Sequence, residues 1–214
     1  DSVQEMCDLT LLAFELADQY CNPVVVLADG YIGQMMEPVA FPGEAVRPGL
    51  PAGAVAGTAM TRCNLASSIY LEPDVLEEHV RKLEAKYRRA EQEAVRCECQ
   101  WTEDADIVLV GYGIVARVLK EVVAAGRAEG LHIGLLRPIT LYPFPVAQIR
   151  ALAAGASTFA VVEMSTGQLV EDVRLALEGR RPVEFYSRVG GNVPSTEEVL
   201  KFVRALAARE VVHA

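Results

Sequence analysis

The sequence predicts an α/β domain, a mostly parallel sheet between two layers of helices, and three observations predict it. Short aliphatic runs recur at residues 107–110, 132–136, 158–163 and 183–187, each bounded by Gly, Pro or charged residues. Segments with apolar residues at three-and-four spacing lie between them. Continuous apolar strands alternating strictly with amphipathic helices are the pattern of βαβ units, whose strands are buried on both faces. Four strands and as many helices are expected over residues 104–214, about 110 residues and so an ordinary domain size.

Taken in order, residues 2–20 carry Val3, Met6, Leu9, Leu12, Ala13, Leu16, Ala17 and Tyr20 at helical spacing. Ser2 with Glu5 forms a capping box, and Asn22-Pro23 ends the helix. A natural chain seldom starts one residue before a cap and without Met, so a piece of something longer is expected. Residues 24–28 are a continuous apolar run and read as a buried strand. One helix and one strand cannot build a core, so they read as the end of an earlier α/β domain.

Residues 37–60 hold Pro38, Pro42, Pro48 and Pro51 with Gly43, Gly49, Gly53 and Gly57, which reads as an extended linker. Pro73 and Asp74 then open a helix whose charges run from Glu77 to Arg96, with Val75, Leu76, Val80, Leu83, Tyr87 and Ala90 along one face. Its charges read as a solvated face. The organisation expected is therefore residues 1–42 as the tail of one domain, 43–103 as linker with a charged helix, and 104–214 as a second domain.

That second domain centres on Asp-Ala-Asp-Ile-Val-Leu-Val-Gly-Tyr-Gly at 104–113. Ile107 to Val110 is a buried strand, the glycines turn the chain, and Ile114, Val115, Val118, Leu119, Val122 and Val123 line a helix that Gly130 ends. Residues 132–136 complete a right-handed βαβ unit. Arg137 to Pro145 is a stiff loop with three prolines, and a helix follows to Leu152. A third strand spans 158–163, a helix 167–177, a fourth strand 183–187. The closing helix, 196–208, is capped at Ser195 or Thr196 with Glu198 in its first turn.

Composition narrows the function classes. Hydrophobic residues make up 51% of the 214, enough for a sizeable core. A net charge of -9 argues against a nucleic-acid surface or a polybasic membrane anchor. No apolar run is long enough to cross a bilayer and no signal peptide is visible, which makes the cytoplasm the default location. Five scattered cysteines argue against a disulfide framework, and Cys97-Glu98-Cys99 lacks the spacing usual for zinc or iron–sulfur ligation.

Ligands of an open parallel sheet sit at the carboxyl ends of its strands. The residues expected there are Gly111, Tyr112, Gly113, Arg137, Glu163, Arg188, Gly190 and Gly191. Gly111-Tyr112-Gly113 invites comparison with a dinucleotide fingerprint, but Ala116 stands at the third glycine and Arg137 where an acidic residue is wanted. A tight strand-to-helix turn explains the glycines as well. Ser165-Thr166-Gly167-Gln168 opens a helix whose amides could hold an anion, or whose Ser165 and Thr166 simply cap it. His79, His132 and His213 have no nucleophile beside them, and Glu163 and Glu171 form no working pair. No catalytic residue and no metal ligand is assigned, and no cofactor-binding residue can be named.

Five segments carry a resemblance. They are Ser-Val-Gln-Glu-Met-Cys-Asp-Leu-Thr (2–10), Asp-Gly-Tyr-Ile-Gly-Gln-Met-Met-Glu-Pro-Val (29–39), Leu-Leu-Arg-Pro-Ile-Thr-Leu-Tyr-Pro-Phe-Pro (135–145), Val-Val-Glu-Met-Ser-Thr-Gly-Gln-Leu (161–169) and Val-Gly-Gly (189–191). In this order, over essentially the whole chain, they resemble the alpha subunit of the 2-oxoacid:ferredoxin oxidoreductases. Those enzymes decarboxylate a 2-oxoacid on thiamine diphosphate, pass electrons through iron–sulfur clusters to ferredoxin, and form an acyl-coenzyme A. The resemblance implies that residues 1–42 are the tail of a thiamine pyrimidine-binding domain and 104–214 a transketolase C-terminal-like domain. It places the ring-activating acid and the substrate-gripping segment upstream, and the diphosphate, magnesium and cluster ligands on other domains or subunits. It also implies beta, and in some members gamma and delta, subunits as partners. Residues 70–73 and the linker before them look similar to members acting on branched-chain or dicarboxylic 2-oxoacids. The role expected for this stretch is scaffolding and subunit assembly, and its orphaned start is expected to self-associate. A stand-alone nucleotide- or coenzyme-binding module using Gly111–Gly113 and Gly190-Gly191, and a non-redox transketolase-type domain, are the alternatives.

Overall fold

The computed structural model describes residues 1–41, 43, 49–51 and 53–213, without the side chains of 210–213. Pro42 and Pro48 of the expected linker, and the His213 side chain, lie outside the described residues. The chain divides into two compact units: Asp1–Ser2, Asp29–Gln34 and Val95–Ala214 form one, Val3–Ala28 and Met35–Ala94 the other.

The first unit is built on a five-stranded sheet. Its strands are β1 (Cys97–Gln100), β2 (Ile107–Val110), β3 (Ile133–Pro138), β4 (Thr158–Glu163) and β5 (Val183–Ser187), in the order β1-β3-β2-β4-β5. β2, β3, β4 and β5 are parallel, as expected. β1 is an addition, pairing antiparallel with β3 inside the stretch read as linker and charged helix. Its Cys-Glu-Cys-Gln sequence offers no apolar run, and what holds it is cross-strand: Glu98 lies opposite Arg137.

Both faces of the sheet are covered. On one, Ile107, Leu109, Ile133, Leu135, Ala160 and Val162 pack with Val115, Leu119, Val122 and Val123 of helix α3 (Gly113–Ala128) and Val199, Leu200 and Val203 of helix α6 (Thr196–His213). On the other, Val108, Val110, Leu136, Phe159 and Val161 pack with Ile149 of α4 (Val146–Leu152) and Leu169, Val170, Val173 and Leu177 of α5 (Gln168–Leu177). Successive residues alternate between the two cores because strand side chains alternate faces. α3 leads from β2 to its neighbour β3 on one side, whereas the chain after β3 returns past β2 to β4 on the other. The order therefore reverses between β2 and β4, at the topological switch point where such sheets open a crevice.

A guanidinium ties the amino edge. Arg127 donates from Nε to the Ile133 carbonyl (2.8 Å) and from its terminal nitrogens to the Trp101 carbonyl (2.8 Å) and both Asp104 oxygens (3.0 and 2.6 Å), while lying over the Trp101 ring at 5.2 Å. The Trp101 backbone crosses so close to Gly134 that a Cβ there would stand 2.5 Å from the carbonyl oxygen.

The second unit holds helices α1 (Val3–Tyr20) and α2 (Pro73–Glu93), whose small core is Tyr20, Ala90 and Ala94 with Leu16 against it. The Tyr20 hydroxyl donates to Glu93 (2.9 Å) and Lys86 to Asn22 (3.1 Å). Along α2, Arg81–Glu77, Lys82–Glu78 and Arg88–Glu84 pairs bear out the solvated face. The strand expected at residues 24–28 does not form: the run is in no ladder, and Val25 and Leu27 are 74% and 73% exposed. A strand exists by pairing, and no described segment lies alongside to pair with it.

Candidate functional site

The switch-point crevice is bounded by the ends of β2 and β4 and by the first turns of α3 and α5. Each of these helices leaves its first N–H groups without an intrahelical partner. Neither N-cap residue, Tyr112 for α3 or Gly167 for α5, supplies a capping side chain.

Carboxylates from elsewhere fill both places. At α5, Glu163, the last residue of β4 and 2% exposed, accepts from the Leu169 N–H at 3.0 Å, the Val170 N–H at 3.3 Å and the Ser165 hydroxyl at 2.6 Å. At α3, Asp29 Oδ2 accepts from the Ile114 N–H at 2.8 Å. Its Oδ1 accepts from the N–H groups of Tyr31 (3.0 Å) and Ile32 (2.9 Å). Negative charge at a helix N-terminus is favourable both as hydrogen-bond acceptor and against the helix dipole.

The crevice is acidic as a result. Tyr112, 37% exposed, stands in it, and burial together with the negative charges of Glu163, Asp172 and Asp29 pushes its phenol above the ordinary range. Asp172 is likewise raised, by burial and then by Glu163. This arrangement corrects three expectations. The α5 amides are held by Glu163 rather than by Ser165 and Thr166 capping, and they offer no seat to an external anion. The Gly111–Tyr112–Gly113 turn is not a phosphate cradle, because an aspartate already holds the amide behind it. Gly190 and Gly191 lie in the loop after β5, both with positive φ, where Gly191's carbonyl accepts the Tyr31 hydroxyl at 3.1 Å. Arg188 is engaged by Glu198 at 2.5 Å.

The remaining candidates are scattered. Arg137, 6% exposed, donates to Glu98 at 2.7 Å from two of its nitrogens, away from the crevice. Burial works against the Glu98 charge, but Arg137, with Gln100 and Lys120, outweighs it and holds the carboxyl below its usual range. Cys97 and Cys99 are half-buried on β1, and burial pushes both thiols up, toward the protonated and unreactive form. His79 stacks on Tyr70 at 4.4 Å, and His132 stands beside Asp104 at the amino edge. Glu171 pairs with Arg174 on the surface. The residue that sequence reasoning missed is Asp29, whose one local sign is its place beside a glycine after an apolar run.

The diphosphate of thiamine diphosphate does not fit this crevice, since both helix N-termini are capped from within and the surrounding charge is negative. Among the described residues no group of three or more His, Cys, Asp or Glu side chains is placed to hold a metal ion, and no helix is long and apolar enough to cross a membrane.

Two family descriptions match: pyruvate:ferredoxin oxidoreductase core domain II over residues 105–199, and the thiamine-diphosphate-binding part of pyruvate flavodoxin/ferredoxin oxidoreductase over residues 1–98. The ketoisovalerate oxidoreductase subunit VorB of Methanothermobacter marburgensis is 52% identical over 209 residues, 97% of this chain and 59% of that protein. The 2-oxoglutarate synthase subunit KorA of the same organism is 31% identical, covering 96% of this chain and 62% of that protein. The chain thus spans about three fifths of the length of these relatives. A solved 2-oxoglutarate:ferredoxin oxidoreductase from Magnetococcus marinus, with 2-oxoglutarate, coenzyme A and succinyl-CoA bound, superposes with a TM-score of 0.55 at 22% identity, over 64% of this chain and 24% of that one, a likeness of fold. With half its residues shared over nearly its whole length with one such subunit, and both halves matched by the family's domains, the chain belongs to the 2-oxoacid:ferredoxin oxidoreductase family.

Proposed function

We propose that this chain is part of the alpha-type subunit of a thiamine diphosphate-dependent oxidoreductase that converts a branched-chain 2-oxoacid, 2-oxoisovalerate, to its acyl-coenzyme A and reduces ferredoxin. The observation that carries the substrate is the gap between 52% identity to a ketoisovalerate subunit and 31% to a 2-oxoglutarate subunit. Thiamine diphosphate, magnesium and iron–sulfur clusters then belong to other parts of the complex, held with the beta and any further subunits, and the cytoplasm is its expected place. We read residues 1–42 as the tail of the pyrimidine-binding domain, 43–103 as the connection, and 104–214, with β1 added, as the transketolase C-terminal-like domain.

The work proposed for this stretch is assembly. Its crevice is closed by its own carboxylates, and its second unit leaves Phe14, Val25, Leu27 and Met36 between 72% and 99% exposed, a surface that favours association. Light scattering on the isolated stretch should show self-association that disappears when residues 1–42 are removed; a monodisperse species unchanged by the deletion counts against it.

The test of the activity is coenzyme A-dependent viologen or ferredoxin reduction by the complete complex with 2-oxoisovalerate, 2-oxoglutarate and pyruvate. Preference for 2-oxoisovalerate supports the reading. Preference for another acid replaces the substrate, and no reduction by a folded, thiamine-loaded complex rejects the redox function.

A further inference from the structure

We propose that residues Asp29–Gln34 are a strap across the carboxyl edge of the sheet, with Asp29 as its clasp. One end is fixed at α3, behind β2, through the Ile114 N–H on Asp29 Oδ2 at 2.8 Å. The other contact lies beyond β5, where the Tyr31 hydroxyl donates to Gly191's carbonyl at 3.1 Å. β4 stands between β2 and β5 in the sheet. Two interstrand steps are roughly 10 Å, within reach of a short turn carrying an extended tyrosine. The strap therefore links the start of α3 to the loop that leads from β5 into α6.

Three features mark this as a built contact. Ile32, in the middle of the strap, is 6% exposed, so the segment is seated and not merely adjacent. Asp29 serves two sets of donors at once: Oδ1 orders the strap's own turn through the Tyr31 and Ile32 amides, and Oδ2 holds α3. The helix start is shaped around that oxygen, because Gly113 has φ +60° and a Cβ there would stand 2.5 Å from Asp29 Oδ2. Ala28 and Met35, on either side in sequence, belong to the other compact unit. The strap is thus one of the places where the chain enters and leaves the sheet unit. Opening it frees the Ile114 amide.

The test is amide hydrogen exchange at Tyr31, Ile32 and Ile114 in the full-length subunit assembled with its partners. Asp29→Ala should speed exchange at all three by roughly tenfold, the loss expected for a missing cap. Added acetate should slow Ile114 again while leaving Tyr31 and Ile32 fast, because a free carboxylate can cap α3 but cannot rebuild the turn. Should Asp29→Ala fail to assemble, Asp29→Asn serves: its one acceptor oxygen cannot hold both sets, so either Ile114 or the Tyr31–Ile32 pair must speed up. Tyr31→Phe should loosen Ile32 several-fold. Unchanged exchange at Ile114 in Asp29→Ala, or at all three amides in Asp29→Asn, overturns the strap; so does an Ile32 amide indifferent to Tyr31→Phe.

Discussion

Helices α3 and α5 start at the same edge of the sheet, on opposite faces, and neither carries a capping side chain at its own first position. Both are capped by a borrowed carboxylate, and they differ in where it comes from. Glu163 is supplied six residues ahead of Leu169, from the strand that α5 packs against. Asp29 reaches Ile114 across 85 positions. A loop of a few residues closes at small entropic cost, whereas the long closure has to be stabilised by other contacts before its cap can form. The α5 cap therefore belongs to the βα unit itself, and the α3 cap reports whether the upstream chain is in place.

The largest effect should come from the near cap. Glu163→Ala leaves the Leu169 and Val170 amides and the Ser165 hydroxyl without their buried acceptor, at a cost of about 3 kcal/mol. Glu163→Gln, which keeps one acceptor, should lose about half of that. Denaturant midpoints of the full-length subunit followed at the sheet domain would measure both, and equal losses would show that charge outweighs hydrogen bonding here. Next comes Gly113→Ala, which forces a side chain to φ +60° and into Asp29; about 2 kcal/mol is expected. A smaller loss would mean that Asp29 moves aside easily and that the remote cap is loose.

α6 supplies a third kind of cap. Ser195 and Glu198 form a complete box: Ser195 N–H and hydroxyl donate to Glu198 at 2.8 and 2.9 Å, and the Glu198 N–H donates to Ser195 Oγ at 3.2 Å. Ser195→Ala should cost about 1 kcal/mol by the same measurement. Parity with Gly113→Ala would erase the distinction between caps made within one turn and caps made from afar.

The smallest effect is linked to pH and lies outside the crevice. Glu98 is held below its usual range despite burial, chiefly by Arg137. A carboxyl with a depressed folded pKa contributes stability above its unfolded pKa and loses it as pH falls through the folded value. The difference between the native protein and Glu98→Gln, under about 1 kcal/mol at neutral pH, should therefore vanish on acidification. A gap that persists in acid would assign the pairing to shape rather than charge.

What could be read from residues alone follows the same division between near and far. β4, β5 and the α6 cap, expected at Ser195 or Thr196 with Glu198 in the first turn, are local patterns; the strands stand where the sequence places them, and the cap is Ser195. β1 was not legible, because a four-residue edge strand of Cys, Glu, Cys and Gln has no apolar signal and is defined by its pairing with β3, a strand distant in sequence. Residues 24–28 have every local mark of a strand, and the orphaned position expected for them matches the lack of a described neighbour to pair with. Ser165 and Thr166 looked like the natural caps of α5, yet the longer Glu163 reaches its amides from the strand. Asp29 was invisible as a cap because its partner is fixed by the closed fold.

The Arg127 cluster at the opposite edge has a consequence of another kind. One guanidinium joins the Trp101 turn, Asp104 and the first residue of β3, so the amino edge is secured without any help from the loops at the far end. The amino and carboxyl edges are therefore held by separate sets of contacts, and a change at one adds independently to a change at the other. An Arg127→Lys replacement, lacking the forked geometry, would loosen the amino edge alone.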